Sequence, residues 1–163
     1  MLSIRPCVDA DLEALERAFP NGGHEQHAHH AYRTYLVAWD EDRPIGVAVI
    51  LWDGPFHPDV HAALPDAVEI SNVHVQDDHR GRGIGTALIR DAERRIDHGT
   101  VTVGVGVDNS DADRLYRRLG YADTGLQWTT EYVASTGANV TERSVTLAKS
   151  LNGKDRVINM PGD

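Results

Sequence analysis

One cysteine, Cys7, stands in 163 residues, so no disulfide can close within the chain and no cysteine-based zinc cluster can form. No run of about 18 apolar residues occurs, and the start, MLSIRPCVDADL, has no sustained apolar stretch. Neither a membrane span nor a signal peptide is expected. Basic residues are scarce: 16 Lys and Arg stand against 25 Asp and Glu, a net charge of -9. That balance lacks the basic face that nucleic acid requires, and it suits either a cationic partner or solubility alone. Repeats and interdomain linkers are absent as well. What remains is a cytoplasmic enzyme or binding domain, one domain over residues 1–151 with a polar, loose tail over residues 152–163.

The residues present give an ordered series of elements. Leu2 to Pro6 reads as a strand, then Asp9 as the cap of a helix carrying Leu12, Leu15 and Phe19, which Pro20-Asn21-Gly22-Gly23 ends. Residues 35–39 and 45–52 read as an antiparallel hairpin with a longer loop, and residues 53–66, with Pro55, Pro58 and Pro65, as an irregular excursion. Val68 to Val75 is a strand. A helix to about Asp97 follows, with Leu88, Ile89, Ala92 and Ile96 on one face. Residues 100–107 form another strand. The next helix has Ser110 and Asp113 at capping-box spacing, Ala112, Leu115, Tyr116 and Leu119 on one face, and Gly120 as its stop. Residues 126–133 and 144–149 close the fold as a hairpin around Ser135-Thr136-Gly137. This order implies a single α/β (α+β) domain, a central mixed, mostly antiparallel sheet flanked by helices.

Residues 79–89, HRGRGIGTALI, place glycines and arginines immediately before a helix. A helix N-terminus leaves backbone N–H groups unpaired and carries partial positive charge, so a glycine-rich turn there can wrap a phosphate. The stretch lacks the Gly-Lys-Ser/Thr ending of a triphosphate loop. It also lacks the Gly-x-Gly-x-x-Gly spacing of a dinucleotide fingerprint. Two readings stand: a site for some other pyrophosphate carrier, or a turn with solvated arginines.

Arg80, Gly83 and Gly85 match the Arg/Gln-x-x-Gly-x-Gly/Ala signature of the GNAT superfamily of acyl-CoA-dependent N-acetyltransferases, which the chain resembles. A second block, VDNSDADRLYRRLGY at residues 107–121, is similar to the family's Asn-x-x-Ala-x-x-x-Tyr-x-x-x-Gly-Phe/Tyr segment through Asn109, Ala112, Tyr116, Gly120 and Tyr121. Asp77 departs from the proline common before the loop. The resemblance implies a GNAT-like fold and acetyl-CoA as co-substrate, its pyrophosphate held by the loop Arg80, Gly81, Arg82, Gly83, Ile84, Gly85 and Thr86. It implies that the backbone of Val73, His74 and Val75 lies along the pantetheine arm, with one amide facing the thioester oxygen. Asn109 touches the arm, and Tyr116 is the general acid for the thiolate or a core aromatic. Glu69, eleven residues before Arg80, stands where several members carry a catalytic glutamate. It is read as the base or as a strand-end carboxylate in solvent, and His74, placed on the opposite face by strand alternation, as its rival.

Gly104 and Gly106 fall on one strand face and read as close approach of a ligand or of a helix. HEQHAHH, residues 24–30, reads as acceptor contacts or a polar helix start, with no metal expected. Residues 20–34 and 53–66 are expected to shape the acceptor site, where Glu25, Asp53, Asp59 and Asp66 would favour a cationic amine. The function implied is acetyl transfer to a primary amine, on a small molecule or peptide, by direct attack in a ternary complex. A longer acyl donor and a non-catalytic coenzyme A-binding regulatory or partner-binding module are the alternatives. No nucleic acid or membrane partner is expected, and the resemblance allows a homodimer.

Overall fold

The computed structural model describes residues 1–134 and 136–152. Its strands are β1 (Leu2–Pro6), β2 (Arg33–Asp40), β3 (Arg43–Leu51), β4 (Val68–Val75), β5 (Gly99–Gly106), β6 (Ala122–Val133) and β7 (Asn139–Leu151). Its helices are α1 (Leu12–Ala18), α2 (His24–His29), α3 (Pro58–Ala63), α4 (Ile84–Ile96) and α5 (Ser110–Arg118). The strands form one seven-stranded sheet in the order β1-β2-β3-β4-β5-β7-β6. All neighbours are antiparallel except β4 and β5, so the sheet is mixed and mostly antiparallel, as the sequence implies. Apart from Asn152, the tail expected from residue 152 onward lies outside the described residues, as does Ser135 of the expected hairpin turn.

The strand alternation sorts residues onto two faces. One carries Leu36, Ile50, Ile70, Val101, Val103, Val105 and Leu147 beneath α4 and α5, whose Leu88, Ile89 and Leu119 complete the larger core. The other carries Tyr35, Val37, Val47, Val49 and Leu51 beneath Leu15 of α1. Leu88 is fully buried. Leu88→Ala should therefore cost about 2–5 kcal/mol, read as a lower urea midpoint, through lost burial and the cavity left behind.

Several expectations move. The hairpin loop is short, not long: Asp40 pairs with Arg43, and Glu41 turns the chain at φ 56. Pro44 sits within β3 opposite Trp39, where the register shifts and its missing N–H is tolerated. Asp9 opens a 3-10 turn instead of capping α1. The Val8 N–H is accepted by Asp11, whose carboxylate also pairs with Arg5 at 2.6 Å. The cap of α5 is Asn109, one residue before Ser110, with its Oδ1 accepting the Ala112 N–H at 3.1 Å. The excursion over residues 53–66 contains α3, capped by the His57 ring.

Two features of β4 position the site. Ser71 pairs with Val49 and His74 with Val47, so Asn72 and Val73 together oppose Ala48 alone, a β-bulge with Asn72 at φ 52. The extra residue resets the alternation. Glu69, Ser71 and His74 consequently share one face, which overturns the expectation that His74 lies opposite Glu69. The second feature is the brief contact with β5: only Val68 with Val101 and Glu69 with Thr102 are in register, after which the strands part.

Candidate active site

The loop before α4 has the form its glycines demand. A 3-10 turn, Asp77–His79, leads to Gly81 at φ 76 and Gly83 at φ 80, a left-handed conformation that glycine adopts at little cost. A Cβ at either position would meet nothing within 4 Å, so the protein's own packing does not require glycine there; the backbone conformation does, and the space in front is open. Gly85 differs: a Cβ would sit 3.6 Å from Leu115, an ordinary contact. Gly83 is the N-cap of α4 and supplies no side-chain cap, and the first helical bond runs from the Ala87 N–H to the Gly83 carbonyl at 3.0 Å. The N–H groups of Ile84, Gly85 and Thr86 thus lack intrahelical acceptors. Arg80 pairs with Asp77 at 3.1 Å across solvent, and its Nε donates to the Val75 carbonyl at 3.4 Å. Asp77 therefore engages the loop's first arginine through an exposed pair of small energetic worth. Arg82 is exposed and makes no ion pair among the described residues. Bare amides, open glycines and two arginines fit a pyrophosphate.

Beside the loop runs the opening between β4 and β5. Val73, His74 and Val75 have β3 on one side and, among the described residues, no strand on the other. Asn109, which lines a cavity of about 510 Å³ with Gly106, Tyr132 and Arg143, spends its side-chain oxygen on the α5 cap, and its amide N–H groups make no hydrogen bond among the described residues. Tyr116 lies on the inner face of α5, 7% exposed, edge-on to Tyr121 with ring centres 5.8 Å apart. Burial pushes its hydroxyl up to about 12, and that hydroxyl has no hydrogen-bond partner among the described residues.

Glu69 is buried where β4 and β5 part, and its Oε2 accepts the Phe56 N–H at 3.0 Å. Burial raises its carboxyl above the usual carboxylate range, and the Phe56 bond opposes this in part. Next to it, Gly104 makes room for a side chain. A Cβ there would lie 3.0 Å from Cζ2 of Trp128, whose ring stacks on His57 at 5.0 Å and donates from Nε1 to Thr146 at 3.2 Å. A Cβ at Gly106 would lie 2.8 Å from the Glu142 carboxylate. The neighbours of these glycines are side chains of the β6–β7 hairpin and not a helix, and Gly106 also lines the cavity at Asn109.

On the same face, α2 and the end of α1 enclose a cavity of about 230 Å³ with β4. His24, Tyr35, Asn72 and His74 line it, with Phe19 and Val47 as apolar walls and His27 at its edge. His24 donates from Nε2 to the Phe19 carbonyl at 2.7 Å, so in the neutral ring Nδ1 accepts from the Tyr35 hydroxyl. Arg33 donates to Nδ1 of His27 at 3.0 Å, which places the proton of neutral His27 on Nε2, 3.1 Å from the Asn72 amide. That proton assigns the amide oxygen to the His27 side. Burial, then Arg33, lowers His27; burial, then Arg80, lowers His74. His29 instead bonds Asp9 at 2.6 Å. Among the described residues no group of three His, Cys, Asp or Glu side chains could hold a metal ion.

The sequence-predicted residues thus divide. The loop continues directly from the unpaired edge of β4, Asn109 caps α5 and Tyr116 packs in the core beside Tyr121, while Glu69 is buried and accepts the Phe56 N–H. Glu25, Asp53, Asp59 and Asp66 are exposed, and none lines the histidine cavity. A wider hollow of about 740 Å³ between α1 and α2 contains none of the predicted catalytic or cofactor residues. Sequence reasoning missed the roles of Tyr35, Phe19 and Asn72. An asparagine inside an apolar strand was the available signal for the last, because Asn tolerates the left-handed region.

The acetyltransferase (GNAT) family model matches residues 5–121. The chain belongs to this family. An uncharacterized N-acetyltransferase of Methanocaldococcus jannaschii is 41% identical over 61 residues, 36% of this chain and 27% of that protein. An uncharacterized protein of Mycobacterium leprae is 27% identical over 127 residues, 76% of this chain and 32% of that protein. The chain spans about a third or less of the length of these curated relatives. Among solved structures, Arabidopsis thaliana NAA60 in complex with acetyl-CoA aligns at TM-score 0.71 and 21% identity, covering 94% of this chain and 100% of that one. The ribosomal-protein-S18-alanine N-acetyltransferase of Escherichia coli aligns at TM-score 0.69 and 17% identity, covering 93% and 95%. A GNAT acetyltransferase of Elizabethkingia anophelis with acetyl-CoA bound aligns at 0.64 and 18%, covering 92% and 98%. These likenesses establish the GNAT fold. Among the described residues no helix is long and apolar enough to cross a membrane.

Proposed function

We propose that this chain transfers an acetyl group from acetyl-CoA to a primary amine by direct attack, without an acyl-enzyme. The observation that carries the reading is the bare N-terminus of α4 set beside the unpaired edge of β4. When bound, acetyl-CoA supplies the acyl group as an activated thioester. The amides of Ile84, Gly85 and Thr86, with the backbone of Gly81 and Gly83, hold the pyrophosphate, and Arg80 and Arg82 neutralise it. The β4 edge at Val73, His74 and Val75 takes the pantetheine arm as a neighbouring strand, and Asn109 adds a side-chain N–H. One β4 amide stabilises negative charge on the carbonyl oxygen.

Tyr116 serves the leaving sulfur. With its hydroxyl raised to about 12, full proton transfer to a thiolate of ordinary pKa about 8.5 is uphill. Tyr116 therefore stabilises the developing thiolate by donating a hydrogen bond. The proton that finally neutralises sulfur is the one the nitrogen sheds on becoming an amide.

A panel of small amines and short peptides, assayed for free thiol in the presence of acetyl-CoA, tests the reading. Amine-dependent thiol release is the expected result. Tight acetyl-CoA binding with no release for any amine would instead mark a binding module.

A further inference from the structure

The bulge in β4 turns His74 into the cavity closed by α2, and from that placement we propose that the His74 imidazole, not the Glu69 carboxylate, takes the proton from the attacking amine. The proposal rests on the acetyl-transfer reading. Three observations carry it.

The first is direction. His74 is in register with Val47, and both line the cavity with His24, Tyr35 and Asn72, whereas Glu69 contributes no wall to it. The second is occupancy of the carboxylate. Glu69 is 7% exposed and already accepts the Phe56 N–H at 3.0 Å, so an incoming amine would have to displace the loop that seals it. The third is continuity: the residue whose side chain enters the cavity is also a residue whose backbone lies on the open edge of β4. A base on that residue lies next to the edge proposed to orient the thioester carbonyl. Its partners are compatible with the role. His24 and His27 from α2, Tyr35 from β2 and Arg80 after β4 are the titratable or charged groups around it, and no carboxylate lines the cavity. Burial of part of the ring, then Arg80, lowers the His74 imidazole, although the residue keeps an exposed face, and both favour the neutral ring that can accept a proton.

The protons balance. The ammonium form of the acceptor gives one proton to His74, which passes it to water. The freed lone pair then forms the C–N bond as the C–S bond breaks, and the second N–H proton, lost as the amide forms, is taken up by the thiolate sulfur. Free coenzyme A, the amide and one proton in solution are the products.

The pH dependence carries the test. In the wild-type chain, kcat/KM for the amine should rise with pH through a value below the ordinary imidazole range, because only neutral His74 accepts the proton. His74→Gln should lower turnover by about 10²- to 10⁴-fold and remove that rise, while acetyl-CoA affinity stays near wild type. In His74→Ala, added imidazole should restore part of the turnover, which a merely structural role would not allow. Glu69→Gln should keep the rise. A normal profile in His74→Gln together with a lost rise in Glu69→Gln would overturn the assignment while leaving acetyl transfer intact. Absence of thiol release from wild type with every amine would overturn both.

Discussion

Gly83→Glu should weaken acetyl-CoA binding about a hundredfold or more while leaving the chain folded. An L-residue at φ 80 costs roughly 1–2 kcal/mol, so the free loop relaxes out of the binding conformation and drawing it back on binding costs up to about tenfold in affinity, at about 1.4 kcal/mol per decade. The remainder is electrostatic. Nothing lies within 4 Å of a Cβ at this position, so the new carboxylate is free to swing onto the bare amides of α4. A negative group is favourable at a helix N-terminus, so the variant tends to cap its own helix and occupy the site the pyrophosphate needs. Gly83→Ala separates the two effects, because it carries the strain without the charge and should lose only about tenfold. Calorimetric titration with acetyl-CoA reads both. Wild-type affinity in folded Gly83→Glu would remove the loop from the donor site.

This loop was legible in the sequence because everything it needs is contiguous: glycines, arginines and a helix start lie within a few residues. Helix α5 was legible for the same reason, although Asn109 and Ser110 are both good caps and only tertiary context chose between them. Features made by distant partners were not legible. The bulge at Asn72 and Val73 depends on the register with β3, and one extra residue there sends His74 to the other face. Gly104 is explained by Trp128, which reaches it across β7, a pairing that no local pattern encodes. The hairpin turn misled because Pro44 reads as loop, yet it occupies a strand position where the ladder is already irregular. Glu69 was read as a base or as a strand-end carboxylate in solvent; it is buried, and the Phe56 N–H that its carboxylate accepts comes from a loop without periodicity.

Tyr116→Phe should slow turnover about ten- to a hundredfold with little change in acetyl-CoA affinity. The estimate is the worth of one hydrogen bond to a charged group, about 1.5–3 kcal/mol. Removing the hydroxyl leaves the ring, its edge contact with Tyr121 and its core burial in place, so stability should change little. The pH profile adds a sharper criterion. Because burial raises Tyr116 to about 12, the hydroxyl keeps its proton throughout the ordinary assay range, and wild type should show no alkaline decline from this group below about pH 10. Steady-state kinetics of wild type and Tyr116→Phe from pH 6 to about 10 decide it. A variant with wild-type turnover would reduce Tyr116 to a packing residue.

The parting of β4 and β5 bears on more than chemistry. Two residue pairs join the half-sheet of β1 to β4 to the half-sheet of β5, β7 and β6. Facing main-chain groups beyond them must find water when nothing lies between. A donor arm laid along β4 completes the ladder from outside, and any ligand bound only by the folded state raises its stability by mass action, roughly 2.7 kcal/mol at a hundredfold excess over Kd. With the donor bound as proposed, the fold is an unfinished sheet whose resistance to heat should follow the supply of its acyl donor, so starvation for that metabolite would be felt as fragility of the protein itself.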